Sequence, residues 1–135
     1  MRGALTLLLA LSLTLSACGP NLDDYSASAS SALGSFMSAF NIAGQTPRMS
    51  LTAPIMEMDG ARQDWNSLTP PKCAKEGHAI VSDALNGYVQ AYLAFQGQES
   101  DTAVNRLFET ADSSFGLGQQ MIIDSCNLDD WSVWE

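Results

Sequence analysis

Apolar residues recur three and four positions apart through most of the chain, and no stretch alternates apolar and polar residues for six or more positions. That spacing describes helices with one buried stripe and argues against strands. The first stripe runs Tyr25, Ala29, Ala32, Leu33, Phe36, Met37, Phe40 and Ala43, with Asp24 placed to cap its start and Gly44 placed as a left-handed cap at its end. Its other face is Ser26, Ser28, Ser30, Ser31, Ser35 and Ser38, so residues 19–31 could equally be a flexible tether. A second stripe of Leu51, Ile55, Met58, Trp65 and Leu68 predicts a helix starting near Pro54 with Thr52 as its cap, because proline disfavours the α region at Ala53. Asp59-Gly60 weakens the middle of that helix.

Thr69-Pro70-Pro71 breaks the chain, and a proline in the first turn opens the third helix. Its stripe is Ala74, Gly77, Ile80, Val81, Ala84, Leu85, Tyr88, Tyr92 and Phe95, ending at Gly97. Ser100 or Asp101 caps a fourth helix through Val104, Leu107, Phe108, Ala111, Phe115, Met121 and Ile122, loosened in its last third by Gly116 and Gly118. Asn127 is placed to cap one final turn that carries Trp131 and Trp134 on one side. The expected fold is all-α, a small antiparallel bundle of about four helices. The bundle domain spans 32–135, preceded by an N-terminal stretch of 18–31.

Composition adds the sign of the surface. The chain has 135 residues, with six Lys and Arg against fifteen Asp and Glu, a net charge of −9. Arg48, Arg62, Lys72, Lys75 and Arg106 are scattered singly, so no basic stripe is available for phosphate backbones and nucleic acid is excluded as a partner. An anionic bilayer is repelled as well, so membrane association needs another source.

Residues 1–18 supply one. Arg2 is followed by an apolar run from Ala4 to Leu15 and then by Leu15-Ser16-Ala17-Cys18. The run is too short to span a bilayer, which takes about 20 apolar residues, and reads as a signal peptide over 1–17. The leucine, two small residues and cysteine resemble the lipobox of bacterial lipoproteins; an ordinary secretory peptide is the alternative. The resemblance implies cleavage before Cys18 and acylation of its sulfur, so that Cys18 becomes a lipid anchor in the cell envelope. Gly19 is not the aspartate that, in enteric bacteria, resembles an inner-membrane retention signal, which points to the outer membrane where the cell has one. Loss of residues 1–17 leaves five cationic side chains against fifteen carboxylates, about −10.

Pro70-Pro71, His78 and Ala84-Leu85 resemble a loose class of small helical bacterial lipoproteins and surface proteins. These carry a double proline, a histidine early in a long helix and a second helix returning across a short loop. The resemblance covers residues 54–123, implies the bundle and implies no activity.

Cys73 and Cys126 stand outside that pattern. A helix of about 23 residues up from Cys73 and one of about 25 down to Cys126 have arms of roughly 35 and 38 Å, so an antiparallel hairpin brings the sulfurs level. In an oxidising compartment a Cys73–Cys126 disulfide is expected, with buried free thiols or a metal pair as alternatives. Zinc would need a fourth group, and His78, five residues after Cys73, is turned about 140° away. As a lone helical histidine, His78 is expected to pack and hydrogen-bond, against Trp65 and the preceding helix.

No serine sits in a glycine-flanked elbow, His78 is the sole histidine, and Asp23-Asp24 and Asp129-Asp130 are adjacent pairs that point apart. An enzyme is therefore not expected, nor a cofactor. A copper module built on Met49, Met56 and Met58 is the rival from another class, yet residues two apart on a helix face about 200° apart, and methionine as core filler is the plainer reading. What remains is a non-catalytic binding or structural role towards an envelope protein or small ligand. Trp131 and Trp134 are its candidate docking residues, unless both close the end of the core.

Overall fold

The computed structural model describes residues 21–129; Cys18, Trp131 and Trp134 lie outside them. The described residues form four α-helices, α1 (Leu22–Gln45), α2 (Thr52–Ser67), α3 (Lys75–Gln96) and α4 (Asp101–Cys126), with a short 3-10 turn at Arg48–Ser50. They contain no strand. The all-α expectation is met, and connections of seven residues or fewer force each helix to run against the one before it. Two hairpins result: α1 packs on α2, α3 packs most closely on α4, and α2 joins them by packing on α3.

Several boundaries differ from those the pattern predicts, each for a local reason. α1 starts two residues before Asp24, because the Asn21 side chain accepts from the Asp23 amide at 3.0 Å, leaving Asp23 and Asp24 in the first turn against the positive helix end. Residues 22–31, with Tyr25 and Ala29 buried, belong to that helix. Gly44 is not the cap: the helix continues to Gln45 and ends at Thr46, whose backbone is extended and whose hydroxyl donates to the Ile42 carbonyl at 2.6 Å. Thr52 lies inside α2 instead of capping it, since the Arg48–Ser50 turn runs on through Leu51 and leaves Pro54 within the first helical turn. α3 begins after both prolines, at Lys75, with the Pro71 carbonyl accepting from the Ala74 amide at 3.0 Å. Asn127 does not open a final turn. It closes α4 in the left-handed conformation (φ 53°), and the Leu128 amide returns to the Ile123 carbonyl at 3.0 Å.

The expected disulfide joins Cys73 to Cys126, with Cα atoms 5.1 Å apart. It ties the turn before α3 to the last residue of α4. Just inside it the two helices touch backbone to backbone: a Cβ on Gly77 would come within 2.6 Å of the Gly118 carbonyl oxygen, and one on Gly118 within 2.7 Å of a Val81 methyl. These glycines tighten the hairpin where the sequence pattern suggested looseness. One turn further along on each helix the contact stays small, a Cβ on Gly87 falling 3.1 Å from that of Ala111.

Between α1 and the α3–α4 pair the filling is aromatic. Phe40 meets Tyr88 at 5.1 Å and Tyr92 at 5.5 Å between ring centroids, and Tyr92 meets Phe108 at 5.2 Å, all edge to face. Such contacts add about 0.5–1.5 kcal/mol each beyond the area they bury. Leu33, Phe36, Leu51, Met58, Trp65, Leu85 and Ile122 are fully enclosed in the same core.

Two outcomes test this packing. Gly118→Ala should destabilise the protein by about 1–3 kcal/mol despite alanine's better helix propensity, whereas Gly116→Ala, which meets nothing within 4 Å, should stabilise it by up to about 1 kcal/mol. Chemical denaturation of the two variants reads the opposite signs directly. Replacing Cys73 and Cys126 by serine opens a closed loop worth about 4 kcal/mol in the chain-entropy model, and the variant should melt roughly 10 °C lower by dichroism.

Candidate functional site

At the end of the bundle carrying the disulfide, three helices meet at one residue. His78, in the first turn of α3, is 8% exposed. Its ring stacks on Trp65 of α2 with centroids 4.4 Å apart and planes 13° apart. The Tyr25 hydroxyl of α1 lies 3.0 Å from Nδ1, and the Trp65 indole N–H donates to the His78 carbonyl at 3.3 Å. The expected packing of His78 on Trp65 is thus present, and the sequence reading missed Tyr25, 53 residues away. Nothing in a stripe pattern marks one of its members as a hydrogen-bond donor to another helix.

Burial pushes the imidazole pKa below its ordinary value and the Tyr25 phenol pKa upward. Both groups therefore stay neutral through the physiological range, which suits a structural link. A proton acceptor in catalysis needs open access to its partner, and here Nδ1 is engaged by a phenol inside the core.

The methionines separate as helix geometry requires. Met58 is fully buried, Met56 is 69% exposed and Met49 is 89% exposed, so the pair two residues apart faces opposite ways. Among the described residues no group of three or more His, Cys, Asp or Glu side chains is arranged to hold a metal ion. Both bundle cysteines are consumed by the disulfide, so neither is left as a thiolate ligand.

At the opposite end a cleft of about 470 Å³ opens between the last turn of α1 and the first two turns of α4. Ala43, Gly44 and Thr46 form one wall, Tyr92 and Phe95 the floor, and Asp101, Val104, Asn105 and Phe108 the other wall. α1 and α4 have no extended backbone contact here; Phe40 and Phe108 bridge them with centroids 6.3 Å apart. Tyr92 donates its hydroxyl to the Phe40 carbonyl at 3.3 Å, and the Arg48 guanidinium sits 4.2 Å from the centre of the Phe95 ring. Sequence reasoning placed Tyr92, Phe95 and Phe108 in core stripes and so missed the cleft; the available signal was the density of aromatic residues near the Gly97 turn.

Cys18, Trp131 and Trp134, the predicted anchor and docking residues, lie outside the described residues. No helix among the described residues is long and apolar enough to cross a membrane. No family model matches the chain, and no curated protein and no solved structure shows significant similarity to it.

The histidine link predicts a pH dependence with a definite sign. Because its folded-state pKa is depressed, the unfolded chain takes up a proton that the folded chain resists. Stability is complete above about pH 6.5 and falls as the pH drops from there towards the depressed value. His78 is the chain's only histidine, so unfolding by urea at pH 7.5 and 5.5 should show the loss in the wild type and little of it in His78→Gln.

Proposed function

We propose that the chain is a lipid-anchored protein of the bacterial cell envelope whose helical body has a non-catalytic binding or structural role. The observation that carries this reading is the division of labour among its three cysteines. Cys73 and Cys126 are bonded to each other, as befits an oxidising compartment, and Cys18 is left at the end of Leu15-Ser16-Ala17-Cys18, where a lipobox places its acylated cysteine. Two or three acyl chains bind a bilayer stably, at about 0.8 kcal/mol per buried methylene, and need no help from a body whose charge opposes an anionic surface. The outer membrane is the expected site where the cell has one.

The binding role is favoured over catalysis by the state of the one histidine. His78 is buried between Tyr25 and Trp65, so no serine or other nucleophile has an accessible imidazole at its side. Trp131 and Trp134 remain candidates for docking an envelope partner, and the membrane is reached through lipid alone.

Radiolabelled palmitate should enter the wild-type protein and fail to enter Cys18→Ser, which should be recovered either soluble or as an uncleaved precursor. Unlabelled wild-type protein in a cell that labels its other lipoproteins would remove the anchor from this reading.

A further inference from the structure

We propose that the cleft between α1 and α4 binds an organic ammonium ion, of the tertiary or quaternary alkylamine class. This deepens the binding role proposed above and rests on it for the surroundings the cleft faces.

The electrostatics of the cleft converge on a cation. Asp101 stands in one wall as a solvent-exposed carboxylate. The opposite wall is the C-terminal end of α1, where the helix dipole is negative and no basic residue occupies the last turn. The positive end of α4 is already answered by the Ser100 side chain, which accepts from the Ala103 amide, and by Asp101 in the first turn. Tyr92, Phe95 and Phe108 supply rings, whose faces attract cations by their quadrupole. Phe95 already engages one, since the Arg48 guanidinium lies over it at 4.2 Å. Arg48 is not itself among the lining residues.

The same composition excludes other ligands. An anion would meet Asp101 and the carbonyl end of α1 with no basic side chain lining the cleft. A metal ion would find one carboxylate and neither histidine nor cysteine. An alkylammonium ion, weakly hydrated and apolar at its surface, suits aromatic walls with a single carboxylate, and about 470 Å³ falls within the range of roughly 300–1,000 Å³ usual for small-molecule sites.

Such an ion could be a free solute or the headgroup of a choline lipid, and position distinguishes them. The cleft lies at the end of α1 remote from Leu22, and the 24 residues of that helix span about 36 Å. With Cys18 acylated just before Leu22, the cleft is held away from the anchoring bilayer, so the ligand is a free solute.

The test uses the full chain purified in a neutral maltoside detergent, titrated with choline chloride and with its uncharged carbon isostere, 3,3-dimethylbutan-1-ol. Ring resonances of Tyr92 and Phe108 should shift saturably with choline and about tenfold more weakly with the alcohol. Gly44→Leu, on an exposed position of α1 whose Cβ would meet the Tyr92 hydroxyl at 3.4 Å, should fill the cleft and abolish the shift while keeping a cooperative melt. Asp101→Asn should weaken choline about threefold. Equal binding of the two probes, or choline shifts unchanged in Gly44→Leu, would overturn the site. Binding of unlipidated Cys18→Ser protein to phosphatidylcholine vesicles in competition with free choline would overturn the choice of a solute. Intact mass of the same preparation reports acylation separately, so a failed anchor and a failed cleft are read apart.

Discussion

Backbone contact between α3 and α4 at Gly77 and Gly118 governs where everything else can lie. With a carbonyl of one helix inside the volume a Cβ of the other would need, these helices cannot separate to admit a side chain and cannot slide without losing the fit. Alanine and glycine continue the seam at Gly87 and Ala111, so the pair is held at short range along much of its length. The Cys73–Cys126 bond closes the end nearest this contact and confines the unfolded chain as well. One hairpin is thus rigid before the other is considered.

The second hairpin meets that rigid pair through large side chains. Phe36 and Phe40 of α1 reach the rings of Tyr88, Tyr92 and Phe108, which keeps α1 at the distance of an aromatic layer. Small residues can close a seam completely, whereas rings packed edge to face leave corners. The cleft beside Tyr92, Phe95 and Phe108 is such a corner, at the end of the bundle away from the glycine contact and the disulfide. At the other end the corner is filled by His78 and Trp65, stacked and hydrogen-bonded to α1 through Tyr25. A polar link there fixes the register of three helices at once, because Tyr25 and His78 satisfy each other only when α1 and α3 are in this alignment.

Much of this was legible in the sequence, and the errors share a cause. The stripes placed the helices, and antiparallel arm lengths paired Cys73 with Cys126, because both arguments need only spacing along one element or across one hairpin. The ends were misread at Gly44, Pro71 and Asn127, where residue type allows two outcomes and a hydrogen bond decides: Thr46 to Ile42, Ala74 to Pro71, Leu128 to Ile123. Gly118 was misread for a different reason. A glycine in a helix costs about 1 kcal/mol of propensity wherever it sits, and only the facing helix reveals whether the missing side chain is a loss or a requirement. The aromatic residues of the cleft carried no warning, since a periodic pattern counts Phe108 as core whether its neighbours enclose it or leave one side open.

Helix polarity gives the two ends of the bundle different characters. The N-termini of α1, α3 and α4 carry Asp23, Asp24, Glu76 and Asp101, while no α-helix has a basic residue in its last turn. Negative helix ends therefore go without the cations that usually offset them. α1 and α3 both finish at the cleft end, where Asp101 adds its carboxylate, and Arg48 with its guanidinium over Phe95 is the protein's own partial answer. An acidic chain of net charge −9 has no other cation among the residues lining that corner, and so the field there favours one supplied from solution.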